Sequence, residues 1–186
     1  MEKNYVRRIR YDRIVGYPNK LDAHLGDGTL HRAFSILLFN DSEQVLLQKR
    51  SQSKLLWPGF WSNTCCSHPR KGESLDQAVH RRIDEEMGCE ADLCFIYRFT
   101  YHATYMDIGV EHEICSVYVG KPRGNISPNR EEIDAHQWIN FEDLDKWVDS
   151  SPDVFTPWFK LEWEKLRGTS ISTELSVLGR ASPATK

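Results

Sequence analysis

The sequence has no excess of basic residues. Its 24 Lys and Arg stand against 27 Asp and Glu, a formal net charge of -3. No positive field calls for nucleic acid or an anionic membrane surface. No run approaches the about 18–20 apolar residues that a membrane-spanning helix needs. Met1 to Arg10 is charged and lacks the apolar stretch of a secretory signal. Cysteine is sparse and odd in number, at Cys65, Cys66, Cys89, Cys94 and Cys115. That count excludes a complete disulfide framework, and no CxxC pair suggests a zinc knuckle. Reduced thiols fit the cytoplasm. There is no internal repeat. What remains is an ordinary globular composition, 40% hydrophobic and 27% charged over 186 residues. That length suits one domain with a real core.

Periodicity divides the chain. Ala33 to Phe39 and Gln44 to Lys49 are apolar runs either side of Asn40-Asp41-Ser42-Glu43, which predicts a β-hairpin. Trp57 to His68 (WPGFWSNTCCSH) carries Pro58 and Gly59 and reads as an irregular aromatic loop. Leu75 to Met87 is a helix, opened by a Ser74–Gln77 capping box and stopped at Gly88. Phe95 to Tyr101 and Glu111 to Val119 read as strands. Short helices follow near Glu142 to Val148 and after Pro157. From Gly168 the chain is small and polar, which predicts a domain over 1–167 and a flexible tail over 168–186. The class is α/β or α+β, a sheet with few helices.

Three clusters carry candidate chemistry. On the helix, Arg82 and Glu86 fall inside the apolar stripe of Leu75, Ala78, Val79, Ile83 and Met87. Inward charges are costly unless paired or bound. Either the two shield each other as an i, i+4 pair, or that face meets a polar cleft. Glu111 and Glu113 share one strand face with Cys115, Val117 and Val119, leaving His112 on the other. Either that end is solvated, or a cation or shared proton offsets the repulsion. His24 and His31 flank Gly26 and Gly28 on a bendable loop, and His68 follows Cys66 by two residues. Three imidazoles and two carboxylates would suit Mn²⁺, Zn²⁺ or Fe²⁺ better than Mg²⁺ alone, provided they converge. Cys66 lies beside Cys65 and near His68. If the pair is extended, at most one thiol faces a site; burial as a structural thiol is the usual fate.

Taken together the motifs resemble the type I isopentenyl-diphosphate Δ-isomerases, a branch of the Nudix superfamily. The matching text is HLGDGTLHRAFS from His24, SKLLWPGFWSNTCCSHP from Ser53 and GESLDQAVHRRIDEEMG from Gly72. YRFTYHATY from Tyr97, VEHEICSVY from Val110 and FTPWF from Phe155 complete it. The general Nudix box, G-x5-E-x7-R-E-U-x-E-E-x-G-U, falls on Ser67, Glu73, Arg81, Arg82, Ile83, Glu85, Glu86, Gly88 and Cys89. Ser67 replaces the leading Gly, and Arg82 stands where hydrolases have a metal-binding Glu. The resemblance implies a mixed sheet between helices. It implies one divalent ion, Mn²⁺, Mg²⁺ or Zn²⁺, on His24, His31, His68, Glu111 and Glu113. It implies a catalytic pair of Cys66 and Glu113, with Tyr101 beside the latter. A Mg²⁺ would arrive with the substrate diphosphate at Glu86 and the carbonyl of Cys66. Lys20, Arg50, Lys54 and Arg82 would grip that diphosphate, and Trp158 would face the hydrocarbon.

The implied reaction interconverts isopentenyl and dimethylallyl diphosphate. An alkene is a poor base, so a positioned acid in a dry pocket is needed. Protonation makes a tertiary cation that an aromatic face stabilises, with Trp158 first and Trp61 as a second face. In one assignment Glu113, with Tyr101 and the metal, is the donor and Cys66 thiolate the acceptor on the opposite face; the reaction is reversible, so the reverse assignment stands beside it. The expected protein is a cytoplasmic monomer acting on a small isoprenoid diphosphate, with no nucleic-acid partner. A Nudix hydrolase and a Nudix-fold binding module are the competing readings. The first lacks the box glutamate, and the second would expect broken site positions.

Overall fold

The structure is a computed structural model. It describes residue 6, the backbone of 8–10, and 13–167. The tail expected over 168–186 lies outside the described residues. Chain order runs β1 (Arg8–Arg10), β2 (Arg13–Gly16), α1 (Lys20–Ala23), β3 (His31–Leu38) and β4 (Val45–Arg50). Then come β5 (Trp61–Ser62), β6 (Cys65–Ser67), α2 (Leu75–Met87), β7 (Glu90–Tyr105) and β8 (Gly109–Arg123). β9 (Ile133–Ile139), α3 (Phe141–Ser150), a 3-10 turn (Pro152–Val154) and α4 (Pro157–Arg167) follow.

Among the described residues, one sheet has the order β2-β1-β3-β8-β7, with β6 also on β3; a smaller one has the order β5-β4-β9. The hairpin expected between the two apolar runs is therefore wrong. Only its turn end forms, as a Phe39–Val45 bridge closed by Asn40 and Gln44. Beyond it β3 pairs in parallel with β8, while β4 pairs with β9 in the other sheet. The physical reason is that both runs are buried along almost their whole length. A strand covered on both faces carries no alternation that would name its partner.

The sheet is covered on both sides. Phe34, Ile36, Leu38 and Cys65 pack with Ala78, Val79, Ile83 and Met87 of α2. Ala33, Leu37, Cys115 and Val117 belong to a second cluster with Trp158, Phe159, Trp163 and Leu166 of α4. α2 has the expected ends: Ser74 and Gln77 form a reciprocal capping box, and Gly88 closes it at φ 62 in the left-handed region. A Cβ on Gly88 would lie 2.5 Å from the Ser127 carbonyl oxygen, so only glycine fits there.

The α4 side contains a buried acid. Glu162 is fully buried and accepts one hydrogen bond, from the Ser35 hydroxyl at 2.8 Å; its Oε1 has no hydrogen-bond partner. Burial pushes its carboxyl up to about 8; the Ser35 bond pulls it back and the Glu113 charge raises it. A carboxyl with a raised folded-state pKa stabilises the fold fully below its ordinary value of 4.5. That stability is lost as pH rises towards about 8. Glu162→Gln removes the titration. The expected result is a gain in stability at pH 8 of the order of a few kcal/mol, several degrees in Tm, and little change near pH 5. Urea midpoints at the two pH values check it; equal shifts at both would show that the carboxyl does not titrate there.

Candidate active site

The sheet register assembles the site. Parallel pairing puts His31 of β3 opposite Glu113 of β8, and antiparallel pairing puts Tyr101 of β7 opposite Glu113. On the other side of β3, Cys66 of β6 pairs with Ser35. His24 is the C-cap of α1, and His68 follows β6 directly. The Val110 N–H donates to the His24 carbonyl oxygen, which ties α1 to the β8 strand. His24 and His31 are thus held by regular elements, contrary to the bendable loop expected. Cys66 likewise lies on a short strand, so the loop expected from Trp57 to His68 contains β5 and β6. Strand alternation separates the thiols: Cys65 goes to the α2 core, and Cys66 to the opposite face.

His24, His31, His68, Glu111 and Glu113 each offer a ligand atom, and all five atoms lie within 4.8 Å of one another. His24 Nε2 stands 2.9 Å from Glu111 Oε2, and His31 Nε2 stands 3.5 Å from Glu113 Oε1. Yet His24 Nε2, His31 Nε2 and Glu111 Oε2 are buried without hydrogen-bond geometry. Buried ligand atoms gathered this closely without hydrogen-bond partners are what a metal site presents. The opposite ring nitrogens are anchored. Nδ1 of His24 donates to the Lys20 carbonyl oxygen at 2.5 Å, and Nδ1 of His31 to that of Thr29 at 2.6 Å. Such bonds leave each Nε2 free to ligate and set the ring's direction. The donor set therefore fits a divalent cation. Glu86 and Cys66 are outside this five-residue group.

Burial alone would raise Glu113, but His31 and Tyr101 more than offset it and hold its carboxyl below the ordinary range. Burial pulls His68 well below its ordinary value, helped by His31 and Lys20. Tyr101 donates its hydroxyl to Glu113 Oε2 at 2.7 Å, and His68 Nε2 lies 2.7 Å from Oε1. Burial pushes the Cys66 thiol up to about 12, and the Arg50 guanidinium works in the other direction.

A cavity of about 460 Å³ opens beside this cluster. Lys20, Arg50, Lys54 and Arg82 line it, together with Cys66, Glu113, Tyr101 and Trp158. Glu86 is buried on α2 and paired with Arg82, so both readings of that helix face hold at once: the pair forms, and Arg82 meets the cleft. Glu132 was not legible as a site residue. It lines the cavity and bridges Lys54 and Arg82, with the Arg82 Nη2 at 3.4 Å. Arg50 lines the same cavity as the other cations. Its Nε and Nη2 donate to the carbonyl oxygens of Trp57 at 3.0 Å and Leu56 at 2.8 Å. Its Nη1 lies 4.0 Å from the Cys66 sulfur, and its guanidinium stands 5.3 Å from the Trp158 ring centre. Trp61, expected as a second aromatic face, packs on Trp147 at 5.2 Å and does not line the cavity. Adjacent strand residues point to opposite faces, and β5 turns Trp61 towards α3. Trp57 packs edge-on against Trp158 instead, at 5.3 Å.

Residues 29–159 match the NUDIX domain. The chain is 45% identical over 163 residues to Isopentenyl-diphosphate Delta-isomerase 1 of Photorhabdus laumondii subsp. laumondii, covering 87% of this chain and 93% of that protein. It is 40% identical over 159 residues to the Isopentenyl-diphosphate Delta-isomerase of Burkholderia multivorans, covering 86% and 90%. The chain belongs to the isopentenyl-diphosphate Delta-isomerase family. Solved structures agree on the Nudix fold. DR0079 from Deinococcus radiodurans superposes with a TM-score of 0.67 at 19% identity, over 84% of this chain and 95% of that one. The MutT protein from Methanosarcina mazei Go1 gives 0.61 at 18% identity, over 73% and 91%. Within the Nudix box of this isomerase-family chain, Glu85 and Glu86 are both spent on arginine, at Arg82 and, for Glu85, also Arg81. Among the described residues, no helix is long and apolar enough to cross a membrane.

Proposed function

We propose that this chain interconverts isopentenyl and dimethylallyl diphosphate, with Cys66 and Glu113 as the two proton-carrying groups. The observation that carries this reading is one cavity lined by a thiol, a Tyr101-bonded carboxylate and several cations. The reaction requires one proton added and one removed at different carbons of a five-carbon unit. Two groups on two strands meet that requirement, and turnover exchanges which of them holds the proton. Burial favours the thiol form of Cys66, while His31 and Tyr101 favour the ionised form of Glu113. Trp158 offers a ring face to the cationic carbon, and the buried walls exclude water that would trap it as an alcohol. Lys20, Lys54 and Arg82 hold the diphosphate, which does no chemistry but supplies binding energy. Arg50 lines the same cavity, beside the thiol and Trp158.

His24, His31, His68, Glu111 and Glu113 would hold one divalent ion, Mn²⁺, Mg²⁺ or Zn²⁺. Bound there, it would supply positive charge that tunes and orients Glu113. Glu86 and the Cys66 carbonyl would take the Mg²⁺ that accompanies the diphosphate. The five free thiols suit a reducing compartment such as the cytoplasm, and a monomer acting through one domain that ends near residue 167 completes the reading. The direct test is incubation with isopentenyl diphosphate and Mg²⁺; an acid-labile allylic product supports it, and unchanged substrate refutes it. His24→Ala is expected to lower the divalent metal kept through dialysis by ~10-fold or more, since it removes one ligand and its backbone-anchored ring. Elemental analysis measures this; unchanged content removes His24 from the ligand set.

A further inference from the structure

Asn63 lies between the chemistry and the fold, and no step above uses it. Its side chain is fully buried, as are those of Ser62 and Thr156 beside it. Its Nδ2 donates to the Cys65 carbonyl oxygen at 2.6 Å and points to that of Ile36 at 3.4 Å. Its Oδ1 accepts from the Ser62 hydroxyl at 2.8 Å and from the Trp158 indole N–H at 3.0 Å. Ser62 in turn lies 2.9 Å from the Thr156 hydroxyl, two residues before Trp158. All four hydrogen-bonding positions of the amide are occupied, so its orientation is determined. Ile36 and Cys65 are register partners on β3 and β6. The amide is therefore a bracket between the strands that carry Cys66 and the ring on α4.

The indole has one polar atom, a donor only. Packing against Trp57 and Tyr101 limits its tilt, with ring centres 5.3 Å and 6.2 Å away. Packing alone does not choose which edge of the ring faces inward. The bond to Asn63 does.

We infer that Asn63 is a positioning residue: it fixes the Trp158 indole relative to the Cys66 strand, so that the ring meets the cationic carbon. This rests on the proposed role of Trp158. A ring free to rotate would still fill the wall but would present its face correctly only part of the time. The loss would fall on turnover rather than on diphosphate binding, because the partners of the Asn63 side chain are Ser62, Ile36, Cys65 and Trp158 and not Lys20, Lys54 or Arg82.

The test is a double-mutant cycle on isomerase turnover with Asn63→Ala and Trp158→Phe. Asn63→Ala is expected to lower kcat by ~10-fold or more with KM within ~2-fold of wild type. In the Trp158→Phe background, which has no indole N–H to hold, the same change should cost ~3-fold or less. If Trp158→Phe leaves kcat unchanged, the role of Trp158 falls and the inference falls with it. If Trp158→Phe lowers kcat and the two losses multiply in full, the inference alone is overturned. A rise of KM in step with the loss of kcat overturns it as well. Should Asn63→Ala not fold, the wild-type protein decides. The indole N–H resonance of Trp158, identified by its loss in Trp158→Phe, should exchange with solvent at least ~100-fold more slowly than free tryptophan. Exchange at the free rate overturns the inference.

Discussion

Glu113→Gln is expected to lower the conversion of isopentenyl diphosphate by ~10³-fold or more, and to lower metal content in the same sample. The reason is double duty at one carboxylate. Oε2 accepts the Tyr101 hydroxyl at 2.7 Å, while Oε1 lies 2.7 Å from His68 Nε2 and faces the ligand cluster. Glutamine has one oxygen for these two tasks. If that oxygen turns to Tyr101, an amide N–H is driven into the histidines. If it turns to the histidines, the amide faces the tyrosine hydroxyl, which must then reverse its bond. In neither arrangement can the side chain take up a proton near neutral pH. Product formation and elemental analysis together read both losses. Turnover within ~10-fold of wild type, with metal content unchanged, would end the case for Glu113 as the proton-carrying group.

The site was legible where one element carried the signal. The Ser74–Gln77 box and Gly88 define α2 because capping is a local contact. Glu111, Glu113 and Cys115 share a face because strand alternation is local too; all three are buried, while His112 turns outward to pair with His102. Convergence was not legible. His31 meets Glu113 only through a parallel pairing of β3 with β8, and such pairings leave no mark in either strand's own pattern. The same blindness produced the false hairpin. It also placed Trp61 in the cavity, because an aromatic residue in an irregular loop could face any direction. Glu132 and Glu162 escaped notice for a different reason. A carboxylate between two cations and a carboxyl under a helix both look like surface acids in a sequence. Their environments come from other elements: Lys54 and Arg82 for the first, Ser35 for the second. Arg50 was legible as a site cation, but its backbone partners at Trp57 and Leu56 depend on a turn in which Trp57 adopts φ 49. A left-handed tryptophan is not something residue type would suggest.

Cys66→Ala separates the two halves of the site. Turnover is expected to fall by ~10³-fold or more, with metal content unchanged and KM for the diphosphate within a few-fold of wild type. Three features lead to that pattern. The thiol is outside the five-residue ligand group, so its loss removes no ligand atom from that cluster. The carbonyl of residue 66, proposed to serve the substrate's Mg²⁺, is backbone and survives the substitution. The cations proposed to hold the diphosphate, Lys20, Lys54 and Arg82, are separate side chains that the substitution leaves in place, and Arg50 lies 4.0 Å from the sulfur. What alanine removes is therefore the proton and its acceptor alone. Cys66→Ser should recover little. Burial already pushes the thiol up to about 12, and a hydroxyl in the same place releases its proton far less readily. The comparison with Glu113→Gln is then decisive. Loss of metal and turnover together at position 113, against loss of turnover alone at position 66, is the signature of one group that both binds and transfers and another that only transfers. Near wild-type turnover in Cys66→Ala would remove the thiol from the chemistry. A parallel loss of metal would instead show that it belongs to the ligand shell.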